Sequence, residues 1–141
     1  MARRVNVYGV PVPIGTFPTS SSISAYVIVP KSGTVHFVYF GSTTALAQHA
    51  TNIWTFSITN IGQAGAGTTA ILGAVDGNTT KTTTGQAVVA NGKFTAVLHT
   101  TAANLAVTEG DTLQITCTAG GTPANTGTFG RCTIGISASG A

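Results

Sequence analysis

Charge is what this 141-residue chain has least of. Six Lys and Arg with three Asp and Glu make 6% of it, against about 25% in an ordinary soluble domain. Disorder is excluded all the same, because hydrophobic residues reach 43% and the formal net charge is only +3. Helix formers are scarce as well. Leu, Lys, Glu, Arg, Gln and Met total 17, too few to build and solvate a helical bundle. Long apolar runs are missing too: stretches such as residues 25–30 are broken by Gly, Pro and Thr, far short of the roughly 20 residues of a membrane helix. What the chain does have is 26 Thr, 13 Val and 10 Ile, the residues of pleated, half-buried strands. One all-β domain with a neutral surface is the reading, long enough to bury about two-thirds of its unfolded surface.

Cysteine is limited to Cys117 and Cys132, too few for a disulfide scaffold or a four-ligand zinc site. Both fall on the apolar face of their strands. Either they are buried thiols or they are bonded, and a bond needs neighbouring strands of one sheet with Cα atoms within about 7 Å. Facing each other across a sandwich, some 10 Å thick, they stay apart. The basic residues are scattered from Arg3 to Arg131, and only Arg3 and Arg4 are adjacent. That is not the clustered footprint of a nucleic-acid binder, and neither nucleic acid nor membrane is expected as a partner. Asn6, Gly9 and Pro11 punctuate residues 5–13, which is no signal-peptide apolar region. Synthesis and use without secretion are expected.

Residues 1–22 read as an extended N-terminal arm and residues 23–141 as the domain. Val5, Val7, Val10, Val12 and Ile14 alternate with polar or stiff residues, and Pro11, Pro13 and Pro18 suit an arm better than a central strand. Such an arm lies either along its own domain as an edge strand or against a partner. Strand signals then recur at residues 24–29, 33–40, 53–61, 69–75, 86–90, 93–99, 111–118 and 131–137. Trp54, Phe56 and Ile58 point inward from one; Leu113, Ile115 and Cys117, and Cys132, Ile134 and Ile136, from two others. Residues 33–40 put Val35, Phe37 and Tyr39 on one side and Val38 and Phe40 on the other. A strand apolar on both faces requires a second cover, either the arm or another subunit. Gly- and Thr-rich loops fill 62–68, 76–85 and 119–127, and only residues 43–49 suit a short helical turn. Eight or nine short strands predict an antiparallel β-sandwich of jelly-roll type. Strand edges without Lys or Glu imply closure or assembly.

Chemistry is thinly supplied. His36, His49 and His99 lack zinc-motif spacing: His36 reads as a buried, hydrogen-bonded histidine, His49 as a turn residue and His99 as solvated. Asp76 and the Glu109-Gly110-Asp111 triplet read as turns, the latter with weak calcium potential only. Gly62-Gln-Ala-Gly-Ala-Gly-Thr lacks the Lys and helix of a phosphate loop, and there is no Gly-x-Ser-x-Gly elbow. No catalytic residue, cofactor or metal ligand is expected.

Two segments resemble a known family. Ala45-Leu46-Ala47-Gln48-His49-Ala50-Thr51-Asn52, running into Ile53-Trp54-Thr55-Phe56-Ser57-Ile58-Thr59-Asn60, is similar to an Ala-rich turn and aromatic strand of small decoration proteins on tailed-phage heads. Leu105-Ala106-Val107-Thr108-Glu109-Gly110-Asp111-Thr112-Leu113-Gln114-Ile115 resembles their Val-x-x-Gly-Asp-x-Leu turn, found also in trimeric jelly rolls of the tumour necrosis factor and complement type. The similarity spans residues 24–138. It implies a non-enzymatic capsid decoration, or cement, protein: a jelly-roll homo-oligomer, expected to be a trimer, made in the host cytoplasm and clamped on the outer surface of the virion. The major capsid protein is the partner it implies, with Arg3, Arg4, Val5, Val7 and Tyr8 as the docking arm. Tyr26, Val38 and Phe40 are the candidates for the oligomer seam. The alternative is a receptor- or glycan-binding sandwich module of a tail or head fibre, for which one inward Trp and few acids offer little support.

Overall fold

Short, Thr-spaced apolar strands fold here into two antiparallel sheets. The computed structural model describes residues 7–16, 22–123 and 129–138. Its strands are β1 (Val7–Thr16), β2 (Ser22–Ile28), β3 (Gly33–Ser42), β4 (Ile53–Gly62), β5 (Thr69–Ala70), β6 (Phe94–Thr95), β7 (Ala106–Val107), β8 (Thr112–Gly120) and β9 (Phe129–Ala138). The only helical pieces among the described residues are the 3₁₀ turns Asp76–Asn78 and Ala102–Leu105. One sheet runs β1-β9-β3-β6, with β7 also on β3; the other runs β2-β8-β4-β5. Without the two-residue β7, the chain is a ribbon pairing β1 with β9, β2 with β8, β3 with β6 and β4 with β5. The ribbon is rolled until β9 meets β3 and β8 meets β4. That is the jelly roll expected from the sequence.

Residues 7–16, assigned above to the arm, are the first strand of this roll. Val12 and Ile14 are buried in the core, while Pro11 and Pro13 face solvent. Two residues apart, the prolines lack their N–H groups on the same side of β1, and on its side away from β9 no strand among the described residues is hydrogen-bonded to it, so prolines turned that way cost no ladder bond.

Inward positions of the two sheets meet in one core. Phe40 from β3 stacks on Phe56 from β4 at 4.6 Å, and Phe94 from β6 closes the cluster 4.8 Å from Phe56. Trp54, Ile58, Leu113, Ile115, Ile134 and Ile136 are each no more than 1% exposed. Each such side chain contributes about 1.5–3 kcal/mol by leaving water.

Four expectations are corrected. β3 does not present two apolar faces in simple alternation, because His36 is an extra residue between the pairs Val35–Ile136 and Phe37–Gly135. This bulge reverses the parity. Val35, Val38 and Phe40 therefore all enter the core, whereas Phe37 and Tyr39 face outward. His36 is exposed on the bulge rather than buried. Residues 69–75, 86–90 and 93–99 form only two-residue strands or single bridges, such as Leu46 with Val88. Side-chain amides take over the ladder there: Gln86 Nε2 donates to Gly77 and Thr95 carbonyls at 2.8 and 2.7 Å, Gln48 Nε2 to Lys81 and Gly85 at 2.9 and 3.0 Å. Residues 43–49 contain no helical turn.

Candidate functional site

The outer face of the β2-β8-β4 sheet is built by alternation from polar but uncharged side chains. Register sets them in rows: Tyr26–Gln114–Thr59, Ser24–Thr116–Ser57 and Ser22–Thr118–Thr55. Ser24 Oγ and Thr116 Oγ1 lie 3.0 Å apart, and Gln114 Nε2 donates to the Tyr26 hydroxyl at 3.3 Å. At the margin Tyr26 is 58% and Ile28 64% exposed. Even the inward residues of β2, namely Ile23, Ala25 and Val27, are only half-buried. Among the described residues no strand pairs with the other edge of β2, and its seven residues include neither a charge nor a proline.

The opposite outer face has different chemistry. Phe37 stacks on Tyr39 at 4.6 Å, and Lys93 Nζ sits 4.5 Å from the centre of the Tyr39 ring. Glycine makes room on this face at two points. A Cβ on Gly135 would lie 2.3 Å from the Phe37 ring, and one on Gly41 would lie 2.8 Å from Arg131 Nε. Each glycine is the cross-strand partner of the side chain that lies over it. Tyr39, Gly41, Gly92, Lys93, Arg131 and Thr133 line a groove of about 340 Å³. A second groove, about 350 Å³, opens where residues 71–79 leave the β4 edge. Its carboxylate, Asp76, is held by Lys81 at 3.2 Å and Thr84 Oγ1 at 2.9 Å, which lower its pKa, Thr84 foremost.

The residues singled out from the sequence are dispersed. Arg3, Arg4 and Val5 lie outside the described residues. Val7 is 41% exposed, and the Tyr8 hydroxyl donates to the Lys31 carbonyl. Burial raises the Tyr8 pKa, against the lowering effect of that bond and with a further rise from Glu109. Tyr26 is on the surface as a seam requires. Val38 and Phe40, at 0% and 2% exposure, are not: they are committed to their own core, because of the β3 bulge. Cys117 and Cys132 are buried free thiols on opposite sheets.

His49 Nδ1 accepts from the N–H groups of Thr51 and Asn52 at 3.1 and 2.9 Å, the turn role expected. Glu109-Gly110-Asp111 is likewise a turn, closed by Asp111 N–H to the Thr108 carbonyl at 2.9 Å with Gly110 at φ +93°. Among the described residues no three His, Cys, Asp or Glu side chains come together. Sequence reasoning missed the Phe37–Tyr39–Lys93–Arg131 surface. The outward parity of Lys93 and Arg131 was readable from the inward Phe94 and Cys132 beside them; the two glycine partners required the register.

Fold and surfaces thus define a jelly-roll domain with one charge-free outer face and one aromatic, cationic outer face. Comparison with protein-family models, curated proteins and solved structures finds no match to the chain.

Proposed function

We propose that the chain is a non-enzymatic structural subunit that decorates and stabilises the outer surface of a phage capsid as a homo-oligomer, a trimer by the resemblance described above. The observation that carries the assembly part is the contrast between two edges. β1 is protected from further pairing by Pro11 and Pro13, whereas among the described residues no strand is hydrogen-bonded to the outer edge of β2, which contains no Lys, Glu or Pro. Tyr26 and Ile28 beside that edge replace Val38 and Phe40 as the seam. Many copies on one shell allow each contact to be modest.

Light scattering on the full chain, with Ile28→Lys alongside, tests this. Ile28 is exposed, so the charge alters monomer stability by no more than about 0.5 kcal/mol. The expected result is an oligomer for the parent and a smaller species for the variant. A parent that stays monomeric at micromolar concentration opposes the reading. Deleting residues 1–8 and measuring occupancy on undecorated heads tests the docking arm, and unchanged occupancy removes it. The glycan-binding alternative gains from one observation: the outward Phe37–Tyr39 pair, with two cations beside it.

A further inference from the structure

The groove over Tyr39 is not used by the assembly reading. Its two charges are Lys93 and Arg131, and no carboxylate lines it. Among the described residues the one ion pair is Lys81–Asp76, and Asp111 is engaged by Asn60 and the Thr108 N–H, so neither acid is directed at these cations. Both cations are also positioned. Lys93 is held over the Tyr39 ring, and Arg131 passes over Gly41 with its Nε 2.8 Å from where a Cβ there would be. A guanidinium fork and an ammonium in one groove complement a carboxylate. Thr133 is paired with Tyr39 across the strands, and it adds a hydroxyl to the same wall.

We infer that this groove binds the carboxylate of an acidic sugar, of uronic or sialic type, between Arg131 and Lys93. Three features select that class. First, the floor consists of β3 and β9, inner strands paired on both sides, so no free backbone edge is available to bind a peptide main chain. Recognition has to come from side chains and suits a compact, polyhydroxylated anion. Second, one face of the Tyr39 ring is covered by Phe37 and Lys93 is over the ring, leaving no platform on which bases stack. Third, two cations in one small groove suit a single acidic group but do not follow a row of phosphates. The volume of about 340 Å³ lies at the small end of ligand pockets. This site is independent of the capsid reading and is tested on the isolated chain.

The test is an NMR titration of the full chain with sialyllactose and with a glucuronate disaccharide. Lactose, hexaglutamate and a short oligothymidylate are the comparison probes. Expected are saturable shifts at Tyr39, Lys93, Arg131 and Thr133 with at least one acidic sugar and none with lactose. Affinity should fall at least tenfold in Arg131→Gln and in Lys93→Gln, both exposed positions whose unfolding transition should match the parent's. Absence of saturation with both acidic sugars overturns the inference. So does equal or tighter binding of hexaglutamate or oligothymidylate, or unchanged sugar affinity in both variants.

Discussion

Phe37 lies across Gly135, its cross-strand partner on β9, with the ring where a side chain at 135 would begin. Gly33 is equally intolerant of a side chain for another reason: a Cβ there would be 2.1 Å from the Ser137 carbonyl oxygen. A ring end can swing aside; a paired backbone cannot. Gly135→Ala should therefore cost about 1 kcal/mol and Gly33→Ala about 3 kcal/mol or more, the range of overpacking penalties. Most of the Gly135→Ala cost should vanish in a Phe37→Ala background. Urea unfolding of the parent, the three single variants and the Phe37/Gly135 double variant checks this, and additive Phe37 and Gly135 effects would contradict it.

Asn78 is buried and bonds three backbone groups. Its Nδ2 donates to the Gly73 and Val97 carbonyls at 2.7 and 2.9 Å, and its Oδ1 accepts from the Val97 N–H at 2.7 Å. Asn78→Ala orphans the Gly73 carbonyl and the Val97 N–H, while the Val97 carbonyl keeps the Gly73 N–H at 3.0 Å; at about 1–3 kcal/mol per unsatisfied buried group it should destabilise by about 2–6 kcal/mol. Asn78→Asp sets a carboxylate against two carbonyl oxygens. It should be worse near neutrality and recover partly in acid, where the protonated acid donates to one of them. Thermal melts at neutral and acidic pH distinguish the two variants.

Acid should weaken the fold through Asp111. Its Oδ2 accepts from Asn60 Nδ2 and from the Thr108 N–H, both at 2.9 Å, and these bonds, Asn60 foremost, hold its pKa below the ordinary 3.8. A depressed pKa contributes stability that is full above the ordinary value and is lost as pH falls through the folded one. Asp111→Asn should flatten stability against pH below 3.8, relative to the parent, although Asp76 contributes in the same window. An unchanged slope in chemical denaturation would contradict this.

The thiols govern the alkaline side. Burial pushes Cys132 up to about 12, and burial with its neighbour Cys132 pushes Cys117 higher still, from an ordinary value of 9.0. With raised pKa values the sign reverses: stability is full below 9.0 and falls as pH rises toward the folded values. Neither thiol should react with a disulfide reagent faster than the chain opens. Rapid native-state labelling would contradict the burial.

Alternation made the core and the outer Thr rows readable in advance: Trp54, Phe56, Ile58, Leu113, Ile115, Ile134 and Ile136 all point as expected. What alternation conceals is a register change. One residue, His36, inverted the assignment of everything after it in β3, and with it the seam. The segments around β5 and β6 were overread as strands because Thr and Val favour strands, while Asn78, Gln48 and Gln86 redirect the backbone through side-chain bonds that leave no periodic trace. The aromatic and cationic groove was hidden for the first reason. Its parts come from β3, the start of β6 and β9, and only pairing brings them together.

The proposed assembly assigns the low charge to neighbours that complete the chain's surface, and its most direct test is a copy number. Under the proposed function, virions should carry the chain in many copies, in a whole-number ratio to a symmetry-related set of capsid sites. Virions that lack the chain, or carry it only at tail or fibre stoichiometry, would contradict the account.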